Sequence, residues 1–316
     1  MKQEPSYEQK LSKGFTLVEM LVAVVILLLV LVAVYSFFDQ GQWLYLGMEK
    51  QTENQQNVRI VLENMERDLR MAGGGVPTQH RTDGTVQWWT PFIFTADRSQ
   101  IYFRGDIDSR NSLVTADVAA AATTIDVEDG AVVCPDPPNA LILVKELKQW
   151  EPITCTAVSG NTVTVSAVNQ AYSSAEAAVL SPDTVFYRLD NDANGDGICD
   201  DTDGDGQTCA TDNDDFPFCN IERAVVFGND PDADAVEDDD NFEVMAKNIC
   251  KFEIHYYGLD GETPLNSDAV PLTGGFLTGI SRVKIEINAK ARSSKGPQQY
   301  TDVNLSTDIL LRSTKY

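Results

Sequence analysis

Histidine is scarce in this 316-residue chain, which contains only His80 and His255. Neither lies in an HExxH pattern, and the sequence also lacks a GxSxG nucleophile elbow, a Walker loop and a GxGxxG turn in a βαβ setting. His255 falls in an alternating run beside two tyrosines, where a packed or surface strand histidine is the ordinary interpretation. The sequence thus offers no catalytic motif, and we expect a protein that is not an enzyme.

Positive charge is also scarce, because 24 Lys and Arg residues stand against 48 Asp and Glu residues, for a net charge of −24. Such an acidic exterior repels the phosphates of nucleic acids and disfavours contact with an anionic membrane surface. No basic stripe with interleaved aromatic residues interrupts this pattern. We therefore expect no nucleic acid among the partners of this chain.

Charge of either sign is almost absent between Phe15 and Phe38, where Glu19 is the only charged residue. These 24 residues would form a helix long enough to cross about 30 Å of hydrocarbon. Lys10 and Lys13 precede the run and Asp39 follows it, which predicts a single span with the N-terminus in the cytoplasm. A carboxylate at the centre of a membrane helix costs roughly 2.5 to 3.5 kcal/mol and usually has a partner or a function. The sequence therefore predicts a cationic partner for Glu19.

The residues before this run argue against an ordinary secretory signal peptide. The candidate small residue for cleavage, Gly14, precedes the apolar run, so cleavage there would leave the helix on the product. The new α-amine at Phe15 would lie in the same low-dielectric zone as Glu19, and a neighbouring copy could supply that amine to neutralise the carboxylate. An uncleaved single-span anchor with a chance glutamate is the alternative.

The stretch "KGFTLVEMLVA", residues 13–23, resembles the class III signal of type IV pilins and type II secretion pseudopilins. The resemblance implies cleavage after Gly14 by a prepilin peptidase, N-methylation of Phe15, and guidance by Glu19 as the helix docks among other pilins. It also implies residence in the inner membrane before assembly into an extracellular pilus or a periplasmic pseudopilus. A later stretch, "LENMERDLRMAGGGV", is similar to PilW-type minor pilins, with J-type pseudopilins as near relatives.

Helical periodicity continues past the predicted span. Five apolar residues fall at i, i+3, i+4, i+7 and i+11, which is one stripe of an amphipathic helix: Val58, Val61, Leu62, Met65 and Leu69. Gly73 to Gly75 supply a stop. We expect residues 39–75 to form a helix whose stripe contributes to the core of a headpiece, an arrangement that the pilin resemblance also implies.

Residues 76–316 are predicted to form this headpiece from β-strands. Short runs rich in β-branched and aromatic residues, such as "SQIYFRGD" and "NTVTVSAV", are separated by turn residues such as Ser159-Gly160-Asn161. Their spacing predicts an inserted antiparallel subdomain at residues 112–182, as a small barrel or a sandwich. The predicted class is α+β: after a leader at residues 1–14 and a span at 15–38, a long helix packs on an antiparallel headpiece with an inserted β subdomain.

All six cysteines follow the span, on the side that the charge bias places outside the cytoplasm: Cys134, Cys155, Cys199, Cys209, Cys219 and Cys250. An even count in an oxidising compartment favours disulfides. The sequence contains no CxxC motif of the kind that carries thioredoxin-like redox chemistry. Cys134 and Cys155 flank a predicted hairpin, and we expect them to close it. The other four allow three pairings, of which we favour Cys199–Cys209 with Cys219–Cys250.

The stretch from Asp190 to Asp215 contains ten acidic residues and no Lys or Arg. Such a run is either a solvated loop or a cation site, and spacing separates the two. A calcium loop requires ligands at positions 1, 3, 5, 7, 9 and 12, with a backbone carbonyl at 7 and Gly at 6. One frame fills every position: Asp192, Asn194, Asp196, Gly197, the Ile198 carbonyl, Asp200 and Asp203. A weaker frame, with Cys209 at its ninth position, offers Asp201, Asp203, Asp205, the Gln207 carbonyl and Asp212.

We therefore predict calcium as a cofactor of this loop. The twelfth ligand is Asp instead of the Glu of an EF-hand, and no periodic helix flanks either frame. The loops thus resemble the helix-free calcium repeats of thrombospondin type 3 or dockerins. A bare acidic loop is the alternative, and it is our interpretation of the second acidic run at residues 230–240, which has no Gly turn.

Three functions are compatible with these features. A structural or assembly subunit at or near the tip of a type IV pilus is favoured, because an oversized headpiece there need not repeat along the shaft. A J-type pseudopilin of a type II secretion system shares the same helix and much of the sheet. A calcium-dependent adhesin at a pilus tip belongs to a different class, and no sequence feature identifies a receptor pocket for it.

Overall fold

The structure is a computed structural model that describes residues 16–74, 93–107, 109–134, 139–145, 149–190, 192, 197–200, 219–226, 242–258, 264–265, 280–292 and 300–311. A long helix, α1 (Leu17–Met71), leads into two antiparallel sheets. The α+β class with a long N-terminal helix, predicted from the sequence, is confirmed.

Helix α1 has an exposed first half and a buried second half. At 55 residues it is about 80 Å long, since each residue adds 1.5 Å. Every described residue from Thr16 to Leu46 is exposed, and Asn54 is the first buried one. The predicted stripe of five apolar residues is buried in full, and Asn54 and Asp68 are buried with it. The helix ends at Met71, where Ala72 and Gly73 (φ 75°) turn the chain toward the sheet.

Seven strands form the sheet that covers this stripe. Their order is β1-β2-β9-β10-β11-β12-β13, and every neighbouring pair is antiparallel. The strand bounds are β1 Ile93–Ala96, β2 Gln100–Gly105, β9 Asp183–Leu189, β10 Cys219–Val226, β11 Glu243–Tyr257, β12 Arg282–Arg292 and β13 Tyr300–Leu310. Alternate residues of β11 and β12, such as Phe252, Ile254 and Ile285, are fully buried in one core with α1. The opposite face of these strands carries the polar residues, as period-two alternation requires.

A second sheet is inserted between β2 and β9, which pair with each other in the first sheet. Its order is β3-β8-β5-β6-β7-β4. The bounds are β3 Asn111–Leu113, β4 Thr124–Asp126, β5 Asn139–Lys145, β6 Gln149–Ser159, β7 Thr162–Val165 and β8 Ala177–Leu180, with a short helix α2, Gly130–Val133, between β4 and β5. The predicted Ser-Gly-Asn turn joins β6 to β7, and Gly160 adopts φ 62° there.

The two edge strands of the second sheet meet. Val114 follows β3 and Val127 follows β4, and these residues form an antiparallel bridge. Backbone hydrogen bonds on both sides, Thr115 N–H to Asp126 and Glu128 N–H to Leu113, reinforce it at 2.8 and 3.0 Å. The sheet therefore closes on itself around its own apolar core, which removes the open edges that would otherwise expose unpaired backbone groups.

A buried polar group joins α1 to the first sheet. The side chain of Asp68 is 0% exposed, and its Oδ2 accepts hydrogen bonds from Tyr187 Oη at 2.8 Å and from Arg223 Nε at 3.0 Å. Burial, followed by the charge of Asp68, raises the pKa of the Tyr187 phenol well above its usual range, so this hydroxyl stays protonated as the donor. Tyr187 and Arg223 are directly opposite each other on β9 and β10. The helix is thus registered on two strands by one carboxylate.

One predicted disulfide is present in the structure, and the other predicted pairings are wrong. Cys134 and Cys155 are bonded, joining the end of α2 to β6. Cys199 is bonded to Cys219, so the favoured Cys199–Cys209 and Cys219–Cys250 pairings are wrong. The register of β10 and β11 explains the error, because it places Cys219 opposite Ile249 instead of Cys250. Cys250 is disulfide-bonded as well, and Cys209 lies outside the described residues.

Candidate functional site

The first turn of α1 holds Glu19 in a capping box. The Oε2 atom of Glu19 accepts hydrogen bonds from Thr16 N–H at 2.9 Å and from Thr16 Oγ1 at 3.0 Å, and Thr16 Oγ1 accepts the Glu19 N–H at 3.3 Å. This reciprocal pair satisfies backbone donors that a helix start otherwise leaves unpaired. The Thr-x-x-Glu spacing just before an apolar run is the sequence signal for this capping role. Gly14 and Phe15, the predicted processing residues, lie outside the described residues.

The exposed half of α1 is apolar far beyond the capping box. It contains the one described helix segment that is long and apolar enough to cross a membrane, and none of that segment is buried. Large apolar side chains continue to be exposed past the predicted span, among them Trp43, Tyr45 and Met48. An apolar surface of this extent requires either lipid or other helices around it. This half of α1 therefore fits a membrane anchor, and the buried half fixes the headpiece to it.

The acidic stretch at residues 190–215, called the acidic loop below, is anchored on strand β11 by Gly197. Gly197 adopts φ 81°, in the left-handed region that favours glycine. A Cβ on this residue would lie 2.6 Å from the Phe252 carbonyl oxygen, so only glycine fits against the strand. The Gly197 carbonyl accepts the Phe252 N–H at 2.8 Å, and the Gly197 N–H donates to Asp192 Oδ2 at 2.9 Å. The first and sixth positions of the predicted frame are thus hydrogen-bonded to each other.

The residue after Gly197 presents its backbone away from the sheet. Ile198 pairs with Lys251, and the hydrogen bonds of this pair are made by the flanking residues, Cys199 N–H to Cys250 O and Phe252 N–H to Gly197 O. In such a pair the central residue directs its own N–H and C=O to the side opposite its partner strand. The carbonyl at the seventh position therefore points away from β11, and the Cys199–Cys219 bond holds the next residue in place.

The remaining predicted ligands are distributed differently. Asp200 is described and half-buried. Asp190, which begins the acidic run, holds the start of β10, because both of its carboxylate oxygens accept hydrogen bonds from Asn220. The second acidic run at 230–240 lies outside the described residues. So do the other ligand candidates: Asn194, Asp196, Asp201, Asp203, Asp205, Gln207 and Asp212.

Sequence reasoning missed a cluster of three possible metal ligands on β11 and β12. One ligand atom each from Glu253, His255 and Glu286 lies within 4.8 Å of the other two. Although burial opposes it, hydrogen bonds from His255 and Lys251 lower the pKa of Glu253 to about 2. The period-two alternation could have placed Glu253 and His255 on one face, but only the register brings Glu286 beside them.

Comparison with known families adds one match, to the prokaryotic N-terminal methylation motif at residues 9–35. The match covers the leader and the first part of α1, and it supports a pilin-like protein with a class III signal. No characterised protein sequence matches this chain. Among solved structures, the Gp54 tailspike of Acinetobacter baumannii bacteriophage AP22, in complex with A. baumannii capsular saccharide, aligns at 16% identity and a TM-score of 0.19, over 22% of this chain and 14% of the tailspike chain. A likeness at that level carries no argument about fold or ligand.

Proposed function

We propose that this chain is a minor pilin, a structural and assembly subunit of a type IV pilus located at or near its tip. The observation that carries the proposal is the division of α1: its exposed apolar half begins inside the methylation motif, and its buried half is part of the headpiece core. A subunit built in this way can leave the membrane only if other apolar helices replace the lipid around it. Filament assembly supplies such helices.

The size of the headpiece favours the tip over the shaft. The closed second sheet, whose strands lie between Asn111 and Leu180, is added to a sheet that α1 already covers. A copy in the shaft would repeat this bulk at every step, whereas a copy at the end meets neighbours on one side only. A J-type pseudopilin of a type II secretion system is the second candidate, since it would use the same motif and helix. A calcium-dependent tip adhesin is the candidate from another class.

The test combines processing with location. A prepilin peptidase should remove residues 1–14, so intact-mass analysis of the purified protein should find N-methyl-Phe15 as its first residue. Cross-linking in intact cells should then join α1 to the helices of other pilins, at low copy number and at filament ends in immunogold images. Recovery of the membrane-bound form with Met1 still attached would refute the pilin assignment. Cross-links to secretion pseudopilins alone would favour the second candidate.

We further propose that the acidic loop binds calcium and stabilises the headpiece. Three features support calcium binding: an oxygen donor at every ligand position of the first frame, the Asp192–Gly197 hydrogen bond, and the Ile198 carbonyl that points away from β11. Asp192, Asn194, Asp196, Asp200 and Asp203 would supply carboxylate and amide oxygens. The ion would relieve the repulsion among these carboxylates and brace the chain between β9 and β10.

Calcium binding by the folded state alone stabilises it by about 2.7 kcal/mol when the ion is a hundredfold above its Kd. Thermal melts of the oxidised protein should therefore shift upward with added calcium, and by less with magnesium, at matched ionic strength. Asp196→Ala should remove most of this shift. Asp238→Ala, in the second acidic run, removes one carboxylate outside the frame and should leave it unchanged. Equal shifts from both ions that survive in Asp196→Ala would show screening of an acidic loop without a site.

A further inference from the structure

The outward face of the first sheet carries a group of side chains that neither filament assembly nor the acidic loop uses. Glu253 and His255 are two residues apart on β11, so both point to the same face. Glu286 lies directly opposite Glu253 on β12. The neighbouring residues Ile254 and Ile285 point to the other face and are fully buried in the core. The backbone positions of the three polar residues are therefore held by core packing on the other side of the sheet.

The distances within this group match those of a small coordination sphere. His255 Nε2 and Glu253 Oε2 are 3.3 Å apart. Two ligands that each lie about 2.0 to 2.1 Å from a tetrahedral zinc ion are about 3.3 Å from each other. One carboxylate oxygen of Glu286 lies within 4.8 Å of a ligand atom of each of these two residues, and rotation of its side chain would bring it closer.

We propose that Glu253, His255 and Glu286 form a binding site for a divalent transition metal of the zinc type, with solvent in a fourth position. One imidazole nitrogen and two carboxylate oxygens suit zinc better than calcium or magnesium, which take oxygen ligands alone. The ligands of this site come from two paired strands and include none of the proposed calcium ligands, and Gly197 of the acidic loop packs beside the Glu253 side chain.

Two lysines form ion pairs with these carboxylates. Lys251 Nζ lies 2.8 Å from Glu253 Oε2, and Lys284 Nζ lies 2.6 Å from Glu286 Oε1. A bound dication would supply the same two positive charges that these ammonium groups provide. The lysine side chains are 37% and 33% exposed, which lets them move to water. Lys284 also lies opposite Asp308 on β13, a second carboxylate with which it can pair.

Partly exposed ion pairs contribute little to stability, because water solvates both partners and competes with the pair. Three protein ligands bound directly to one transition-metal ion hold it more strongly than a partly exposed ammonium group holds a carboxylate. The lysines act as competitors that weaken the site without abolishing it. This leads to a distinctive expectation: removal of a competing lysine should strengthen metal binding.

The test is a zinc titration of the full chain in detergent micelles, with disulfides intact and excess calcium present to fill oxygen-only sites. Isothermal titration should find one zinc ion per chain, and cobalt should give the visible absorption of a four-coordinate ion at the same stoichiometry. His255→Ala should weaken zinc binding by about tenfold or more. His80→Ala, which removes the other histidine of the chain, is the matched control and should bind zinc as the wild type does.

Two further variants decide the outcome. Glu286→Gln should weaken zinc binding as His255→Ala does, and it replaces that variant if circular dichroism shows that His255→Ala is unfolded. Lys284→Met should bind zinc more tightly than the wild type. The proposal is overturned by the absence of a saturable zinc site, by a loss that follows His80 instead of His255, or by unchanged zinc affinity in both Glu286→Gln and Lys284→Met. None of these results bears on processing at Gly14 or on filament location. The metal site can therefore be refuted while the pilin assignment stands.

Discussion

Substitution of Asp68 by Ala tests whether one buried carboxylate holds α1 to the sheet. The change removes the acceptor shared by Tyr187 and Arg223 and leaves the Arg223 guanidinium, whose side chain is only 18% exposed, without that anion. Removal of one partner from a buried ion pair costs about 3 to 5 kcal/mol. Because Arg223 retains some contact with water, we expect a loss near the lower limit, about 3 kcal/mol.

Two neighbouring variants should lose less stability than Asp68→Ala. Tyr187→Phe removes the hydrogen bond that Tyr187 Oη donates to Asp68 and the one that it accepts from Arg223 Nε. Because Arg223 Nε keeps Asp68 as its acceptor and still neutralises it, the net loss should be about 1 kcal/mol. Glu66→Ala removes an acidic residue from the same turn of α1, where it pairs with the 63% exposed side chain of Arg70. That surface pair is worth about 0.3 to 0.5 kcal/mol, which makes Glu66→Ala the matched control.

The assay is thermal unfolding of the oxidised full chain in detergent, followed by near-ultraviolet circular dichroism. For a domain of this size, 1 kcal/mol shifts Tm by about 2 to 4 °C, so Asp68→Ala should lower Tm by about 6 to 12 °C. Tyr187→Phe should lower it by about 2 to 4 °C, and Glu66→Ala by no more than about 2 °C. A Tm for Asp68→Ala that equals or exceeds that of Tyr187→Phe would refute the assignment of Asp68 as the shared anion.

Three other predictions concern the anchor, the loop and the outward face. Glu19→Val should still insert into the membrane, because it removes a carboxylate that is costly in lipid, but it should enter filaments poorly, because the proposed docking of the helix uses Glu19; incorporation at the wild-type level, measured on sheared filaments, would show that docking does not use Glu19. Gly197→Ala should lower the free energy of unfolding by about 3 kcal/mol or more, because the new Cβ clashes with β11 and the residue keeps a strained positive φ. Gly160→Ala, also at positive φ but with open space around its Cβ, should lower it by about 1 kcal/mol. Equal Tm losses in the two variants would contradict the contact between Gly197 and β11. The folded-state pKa of Glu253, about 2, is below its ordinary value of 4.5, so the stability it contributes is present above pH 4.5 and is lost as pH falls toward 2. The stability difference between wild type and Glu253→Gln should therefore shrink by about 1 to 2 kcal/mol over that range, after allowance for solvent screening; a constant difference in urea unfolding would contradict this shift.

The N-terminal motif and helix could be predicted from the sequence because their determinants are local. The apolar run, the motif around Gly14 and the buried stripe from Val58 to Leu69 all depend on spacing along one helix, and the helix period is the same wherever the chain lies. The turn at Gly160 was predictable for the same reason. Asp68 was not, since a charged residue on an apolar stripe is buried only when partners such as Tyr187 and Arg223 meet it from other elements.

The headpiece shows the limit of local reasoning. Its strands and their alternation were evident, but the closure of the second sheet depends on Val114 meeting Val127, and the disulfide partner of Cys199 depends on where β10 begins beside β11. The register of β12 against β11 brings Glu286 to Glu253 and His255. Strand pairing relates residues that are distant along the chain, and a shift of one residue would move each side chain to the other face. Helix and motif were therefore determined by the sequence itself, whereas the partners across strands were decided only by the tertiary structure, because nothing within a single strand specifies its register against the next.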